Sequence, residues 1–116
     1  VKPWWETDSM RRGEVWWVAF DPSVGSEIQK TRPAVIVSND EANAALARVV
    51  VVPLTSNTSK VYPGEAVIMI GAQKSKAMAD QIMAADKKRL KNLLGTISRM
   101  DMHKIDAAIR LHLALD

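Results

Sequence analysis

The chain has no cysteine, and its 116 residues include only two histidines, one tyrosine and one phenylalanine. Without cysteine, disulfides, thiolate nucleophiles and cysteine-based zinc sites are excluded. His103 and His112 fall in one expected helix without the i, i+4 spacing of a helical metal pair, so both read as ordinary helix residues. No run of 18 apolar residues is present, so no membrane span is expected. The opening VKPWWETDS lacks the apolar stretch of a secretory signal, and the expected location is the cytoplasm. The first nine residues also lack periodicity. They read as an N-terminal tail outside a domain that begins at Met10 and runs to residue 116.

Hydrophobic residues make up 47% of the chain, enough for one modest core in a single domain. The net charge of +3 is unevenly placed. Between Lys74 and Lys91, six cations stand against Asp80 and Asp86, so the basic excess sits in one segment. Such a cluster suits either a solvated face or a polyanion held through phosphate contacts.

Strands are expected at 14–20 (EVWWVAF), 32–38 (RPAVIVS), 48–55 (RVVVVPLT), 65–70 (EAVIMI) and 94–98 (LGTIS), where β-branched and aromatic residues concentrate. Residues 21–31 and 56–64 carry the breakers of loops. NDEANAALA (39–47) suits a short helix begun by Asn39 or Asp40, and DKKRLKNL (86–93) a helical turn. AMADQIMAA (77–85) is ambiguous between helix and strand. The clearest helix is 100–115, where Met102, Ile105, Ile109 and Leu113 share one face and Ser98 with Asp101 suits a capping box. Short strands with a closing helix imply an α+β domain on a small, curled antiparallel sheet.

Arg32 and Pro33 open the second strand, and Thr55 ends the third. Proline can begin a strand because the first position need not donate. Arg32 is then a fixed charge at the strand's mouth. If the two strands pair antiparallel, Arg32 and Thr55 share one sheet end with both long loops. A guanidinium fork and a hydroxyl suit phosphate, and Ser26, Ser56, Asn57, Thr58 and Ser59 add polar groups nearby.

At these residues the sequence resembles the MazF/PemK (Kid) family of toxin endoribonucleases. The likeness rests on RRGEVWWVAFDPSVGSE, TRPAVIVSND, VVVVPLTS, ADQIMAADKKRL and HKIDAAIRLHLAL, in the family's order. It implies a small SH3-like antiparallel β-barrel with a C-terminal amphipathic helix, used as a homodimer, and it makes 77–85 sheet. It implies sequence-specific cutting of single-stranded RNA with no cofactor and no metal, and neutralisation by a cognate antitoxin with a flexible acidic tail. The catalytic arginine and threonine fall on Arg32 and Thr55, the loop glutamate on Glu27, and the late Asp-Gln pair on Asp80 and Gln81. Ser26, Gln29, Lys30, Ser56, Asn57 and Tyr62 become loop readers of RNA, with Lys74, Lys76 and Lys87 along its backbone.

Ile28 follows the G-S-E loop where glutamine is usual, Met78 stands where Kid-like members carry arginine, and Met83 and Ala84 replace a later arginine. Arg32 is thereby left as the arginine for the scissile phosphate. RNA supplies its own nucleophile, the 2′-hydroxyl, so chemistry without Cys, metal or a placed His is feasible. A base for that hydroxyl is open between Glu27 and Asp80. A CcdB-like gyrase poison and a non-catalytic RNA-binding barrel are the competing readings.

Overall fold

The run of valines in β3 (Arg48–Thr55) is buried on both sides, as a strand in the middle of a sheet must be. Successive side chains point to opposite faces and feed two separate cores. Val52 and Leu54 join Val15, Val35, Ile68 and Ile105 in one cluster. Val49 and Val51 join Trp16, Val18, Ile36 and Leu90 in the other. The computed structural model describes residues 10–22, 24–28 and 30–116, so the expected tail (1–9) and Gln29 lie outside the described residues.

Around β3 stand β1 (Glu14–Ala19), β2 (Thr31–Ile36), β4 (Glu65–Ile70), β5 (Gln73–Met78), β6 (Met83–Asp86) and β7 (Leu90–Thr96). The order is β4-β5-β3-β2-β1-β7, with β6 also on β3, and every pairing is antiparallel. The helices are α1 (Asp40–Ala45) and α2 (Arg99–Leu113). This is the expected α+β fold, a curled antiparallel sheet closed by a C-terminal helix.

The segment expected as continuous sheet over 77–85 is instead strand, turn, strand. β3 advances three residues from Val51 to Leu54, while its partner advances six from Ala77 to Met83. The surplus forms a 3₁₀ turn, Ala79–Gln81. Proline explains the break. Val37 N–H donates to Val50 O (2.8 Å), and alternation along the β2–β3 pair then points the nitrogen of Pro53 away from β2. The missing donor faces the β5–β6 edge where the ladder is interrupted, so the turn sits opposite the residue that cannot bond.

β7 begins at Leu90, earlier than the expected 94–98, because the helical turn expected over 86–93 is only Lys87–Arg89. The strand over 73–78 has no apolar run to announce it: its first residues are Gln73, Lys74 and Ser75. It is strand because β4 pairs with it along its whole length, from Glu65↔Met78 to Ile70↔Gln73.

Polar groups tie the elements together. Asn43 of α1 is 1% exposed; its amide donates to Ser38 O (2.9 Å) and its carbonyl accepts from Lys87 Nζ. Ser98 Oγ accepts from Asp101 N–H (3.1 Å), as expected of the cap. Asp101 does not complete a capping box; its Oδ2 accepts from Met69 N–H (2.9 Å) and fastens α2 to β4. The buried face of α2 is Asp101, Ile105 and Ala108, while Leu113 is exposed. Arg12 N–H donates to Asp40 Oδ1 (2.7 Å), the main reason the Asp40 carboxyl is held below its ordinary value; Asn43 and the Arg11 and Arg12 charges add to the effect against partial burial.

Lys87→Met leaves Asn43 O without its donor, and a loss of about 1–3 kcal/mol is expected from urea unfolding. Asp40 behaves as a depressed carboxylate: its contribution is present above the ordinary value of 3.8 and is lost as pH falls through the lower folded value. The stability gap between the native chain and Asp40→Asn should therefore be open at pH 7 and narrow only as pH falls below 3.8 in pH-dependent melting. A gap that is constant with pH would contradict this.

Candidate active site

The last pair of the β2–β3 ladder is Ala34↔Pro53. Pro33 lies just beyond it and brings no N–H toward β3, so the ladder ends there. Continued past that point, the register brings Arg32 opposite Thr55. On its other side Arg32 pairs with Val18 of β1. The guanidinium stem thus rises from a strand end held by β1, where the pairing with β3 has stopped, and Arg32 is half-buried.

Where the strands part, a cavity of about 350 Å³ opens, lined by Arg32, Thr55 and Ser56 together with Trp17, Leu54 and Gln73. Arg32 and Thr55, expected to share one sheet end, share this cavity. Thr55 Oγ1 accepts from Asn57 N–H (3.3 Å). With that acceptor position occupied locally, its own O–H is the group left to donate to an incoming oxygen. Asn57 Oδ1 in turn accepts from Ser59 N–H (3.2 Å) and Ser59 Oγ–H (2.8 Å), which shapes the start of the 56–64 loop.

Glu27 and Asp80 are brought together, but not to Arg32. They line a second cavity of about 400 Å³ with Ser26 and Gln81, and the two cavities share no lining residue. The expectation of a single constellation is corrected here. The 3₁₀ turn causes the separation: it lifts Asp80 and Gln81 out of the strand and toward the 21–30 loop. Gln81 Oε1 accepts from Ile28 N–H (2.7 Å) and pins that loop. Glu27 Oε1 accepts from Val24 N–H (2.7 Å) within it. Lys30 is exposed, with φ +65°, and closes the loop's base through Phe20 N–H to Lys30 O (2.9 Å) and Lys30 N–H to Asp21 Oδ1 (3.0 Å).

Two cations of the basic segment, Lys76 and Lys87, are buried, while Lys74, Lys88 and Lys91 are exposed. Lys76 is 8% exposed; its Nζ meets Glu65 (3.3 Å), donates to Lys60 O (2.8 Å) and lies 5.9 Å from the centre of the Tyr62 ring. Lys87 is 3% exposed and bound to α1. Neither lies along a surface where a polyanion could pass, which corrects their reading as backbone contacts. Arg89 donates to Ala19 O (2.9 Å) and Asp21 O (2.8 Å), holding the start of the 21–30 loop. Lys74 and Tyr62 are exposed. Sequence reasoning missed Trp17, Gln73 and Ser75 of the Arg32 cavity. The period-2 alternation of β1 was the available signal for Trp17. Nothing marked β5 before its pairing was seen.

Residues 11–113 match the family described as the PemK-like, MazF-like toxin of type II toxin-antitoxin systems. The endoribonuclease MazF9 of Mycobacterium tuberculosis is 44% identical over 115 residues, covering 91% of this chain and 98% of that protein. The endoribonuclease MazF of Staphylococcus epidermidis is 34% identical over 112 residues, covering 92% and 93%. A solved endoribonuclease in complex with its cognate antitoxin, from a mycobacterial species, is 28% identical with a TM-score of 0.77, covering 91% of this chain and 96% of that one. On a match spanning nearly its whole length, this chain belongs to the PemK-like, MazF-like toxins of type II toxin-antitoxin systems.

Proposed function

We propose that this protein is an endoribonuclease toxin that cuts single-stranded RNA at short sequences, without a metal, and is neutralised by a cognate antitoxin. It acts in the cytoplasm as a homodimer; among the described residues no helix is long and apolar enough to cross a membrane. The observation that carries the reading is the meeting of Arg32 and Thr55 in one cavity at the end of two held strands. The names of the family relatives, endoribonucleases, point the same way.

The chemistry follows from what each group can do. The RNA 2′-oxygen attacks the adjacent phosphorus. A bond forms between O2′ and phosphorus, the bond from phosphorus to O5′ breaks, O5′ takes up a proton from water, and the products are a 2′,3′-cyclic phosphate and a 5′-hydroxyl. Holding the internal nucleophile in line is worth on the order of 7–11 kcal/mol in well-oriented systems. Arg32 neutralises charge on the pentavalent phosphorane, and Thr55 donates to a nonbridging oxygen. The 2′-proton leaves to a base within reach of O2′; Glu27 and Asp80 line the other cavity, so for either carboxylate to take that proton, RNA binding must bring it against the Arg32 site. Ser26, Lys30, Ser56, Asn57 and Tyr62 contact neighbouring nucleotides, with Gln29 in the same loop; Gln81 acts indirectly by fixing that loop. The antitoxin's acidic tail would compete for the same cationic site.

Purified protein in EDTA should cut single-stranded RNA and leave 5′-hydroxyl ends. Arg32→Ala should lose about 10²–10³-fold in rate. A 2′-deoxy nucleotide at the cut site should stop cleavage, and continued cutting there rejects the mechanism. Glu27→Gln and Asp80→Asn separate the two candidate bases. The one that removes the base should flatten the acidic limb of the pH–rate profile, and two unchanged profiles would remove both from this role.

A further inference from the structure

The two adjacent tryptophans of β1 have opposite fates. Trp16 is 7% exposed in the core, with Nε1 donating to Glu14 Oε1 (3.1 Å). Trp17, on the other face, is 36% exposed, and its indole N–H makes no hydrogen bond among the described residues. Its cross-strand partner is Pro33, the residue that ends the β2–β3 ladder. On its other flank the β1–β7 register slips between Trp16↔Leu93 and Val18↔Leu90, opposite Trp17 itself. Such irregularities bend the strand and re-aim a side chain.

Strand parity shows what Trp17 is aimed into. Trp17, Pro33, Leu54, Ser75, Gln73 and Ile70 all line the Arg32 cavity. They lie on the same sheet face as Val15, Val35, Val52, Ala77 and Ile68, members of the first core cluster. The cavity is therefore the open end of that core. It has an indole and aliphatic walls on one side and two polar side chains of β5 on the other. Ser75 is 5% exposed, and its hydroxyl makes no hydrogen bond among the described residues. Gln73 is exposed, and its amide likewise has no such bond. A flat ligand with apolar faces and a polar edge fits this arrangement, and a cavity of about 350 Å³ lies within the range of ordinary ligand sites.

We infer that Trp17 is the stacking platform for the base of a nucleotide bordering the scissile phosphate, and that Gln73 and Ser75 read that base's edge. The inference rests on the endoribonuclease reading above. Arg32 and Thr55 alternate to the other sheet face yet line the same cavity where the strands end, so a phosphate they hold sits where the two faces meet, and the base of a neighbouring nucleotide is the group that can turn onto the Trp17 side. Splayed single-stranded bases are recognised by stacking together with edge hydrogen bonds.

The test combines Trp17→Ala, Trp17→Leu and Trp17→Phe with RNA oligonucleotides carrying one abasic site at each position around the cut. Trp17→Ala should lose roughly 5- to 150-fold in kcat/KM on intact RNA. Trp17→Leu, which keeps apolar packing without a π-face, should lose a similar factor, and Trp17→Phe should recover most of the rate. At one abasic position the native protein should lose activity while Trp17→Ala and Trp17→Leu lose nothing further. Gln73→Ala and Ser75→Ala should broaden the cut sequence at that same position when 5′-hydroxyl ends are sequenced. Independent, multiplying losses at every abasic position would overturn the proposal, for Leu as for Ala. If the native protein cuts no RNA, the endoribonuclease reading fails instead, and the two failures are distinct.

Discussion

The antiparallel register of β2 against β3 is the constraint on which the rest depends. It is fixed by side chains far from the site: Val35 and Ile36 on one strand, Val51 and Val52 on the other, all fully buried. A slip of one residue would send every one of those valines to the wrong core. The hydrophobic sorting that folds the sheet therefore also sets where Arg32 and Thr55 meet. The two prolines then decide where the sheet stops. Pro33 ends the ladder and opens the cavity, and Pro53 breaks the opposite edge and creates the turn that carries Asp80 and Gln81.

The charges divide by the same logic. Long cations at the strand ends are used as struts: Lys76 to Glu65, Lys87 to α1, Arg89 to the start of the 21–30 loop. A buried lysine is tolerable when carbonyls and carboxylates accept its hydrogen bonds. Lys76, through Lys60 O, and Arg89, through Asp21 O, hold the two loops that flank the cavities. Of the same segment, Lys74, Lys88 and Lys91 are exposed.

Much of this could be seen in the sequence, for identifiable reasons. β3 and β4 were legible to the residue because their apolar runs end at polar or breaking residues. The meeting of Arg32 and Thr55 was legible because a single short helix between two strands leaves few alternatives to antiparallel pairing. β5 was not legible, because Gln73, Lys74 and Ser75 are strand through their partner β4 rather than by propensity. The separation of Glu27 and Asp80 from Arg32 was hidden too. It follows from a three-residue surplus in β3's partner, which only the pairing reveals. The roles of Lys76 and Lys87 needed burial, which a count of charges does not contain.

The account turns on one phosphate held by two strands. A crystal structure with an RNA strand made uncleavable by 2′-O-methylation at the cut site tests it most directly. The account requires that one backbone phosphate place its oxygens within hydrogen-bonding distance of both the Arg32 guanidinium and the Thr55 hydroxyl. A strand whose phosphates bypass that pair, or engage only the cavity of Glu27 and Asp80, would contradict it.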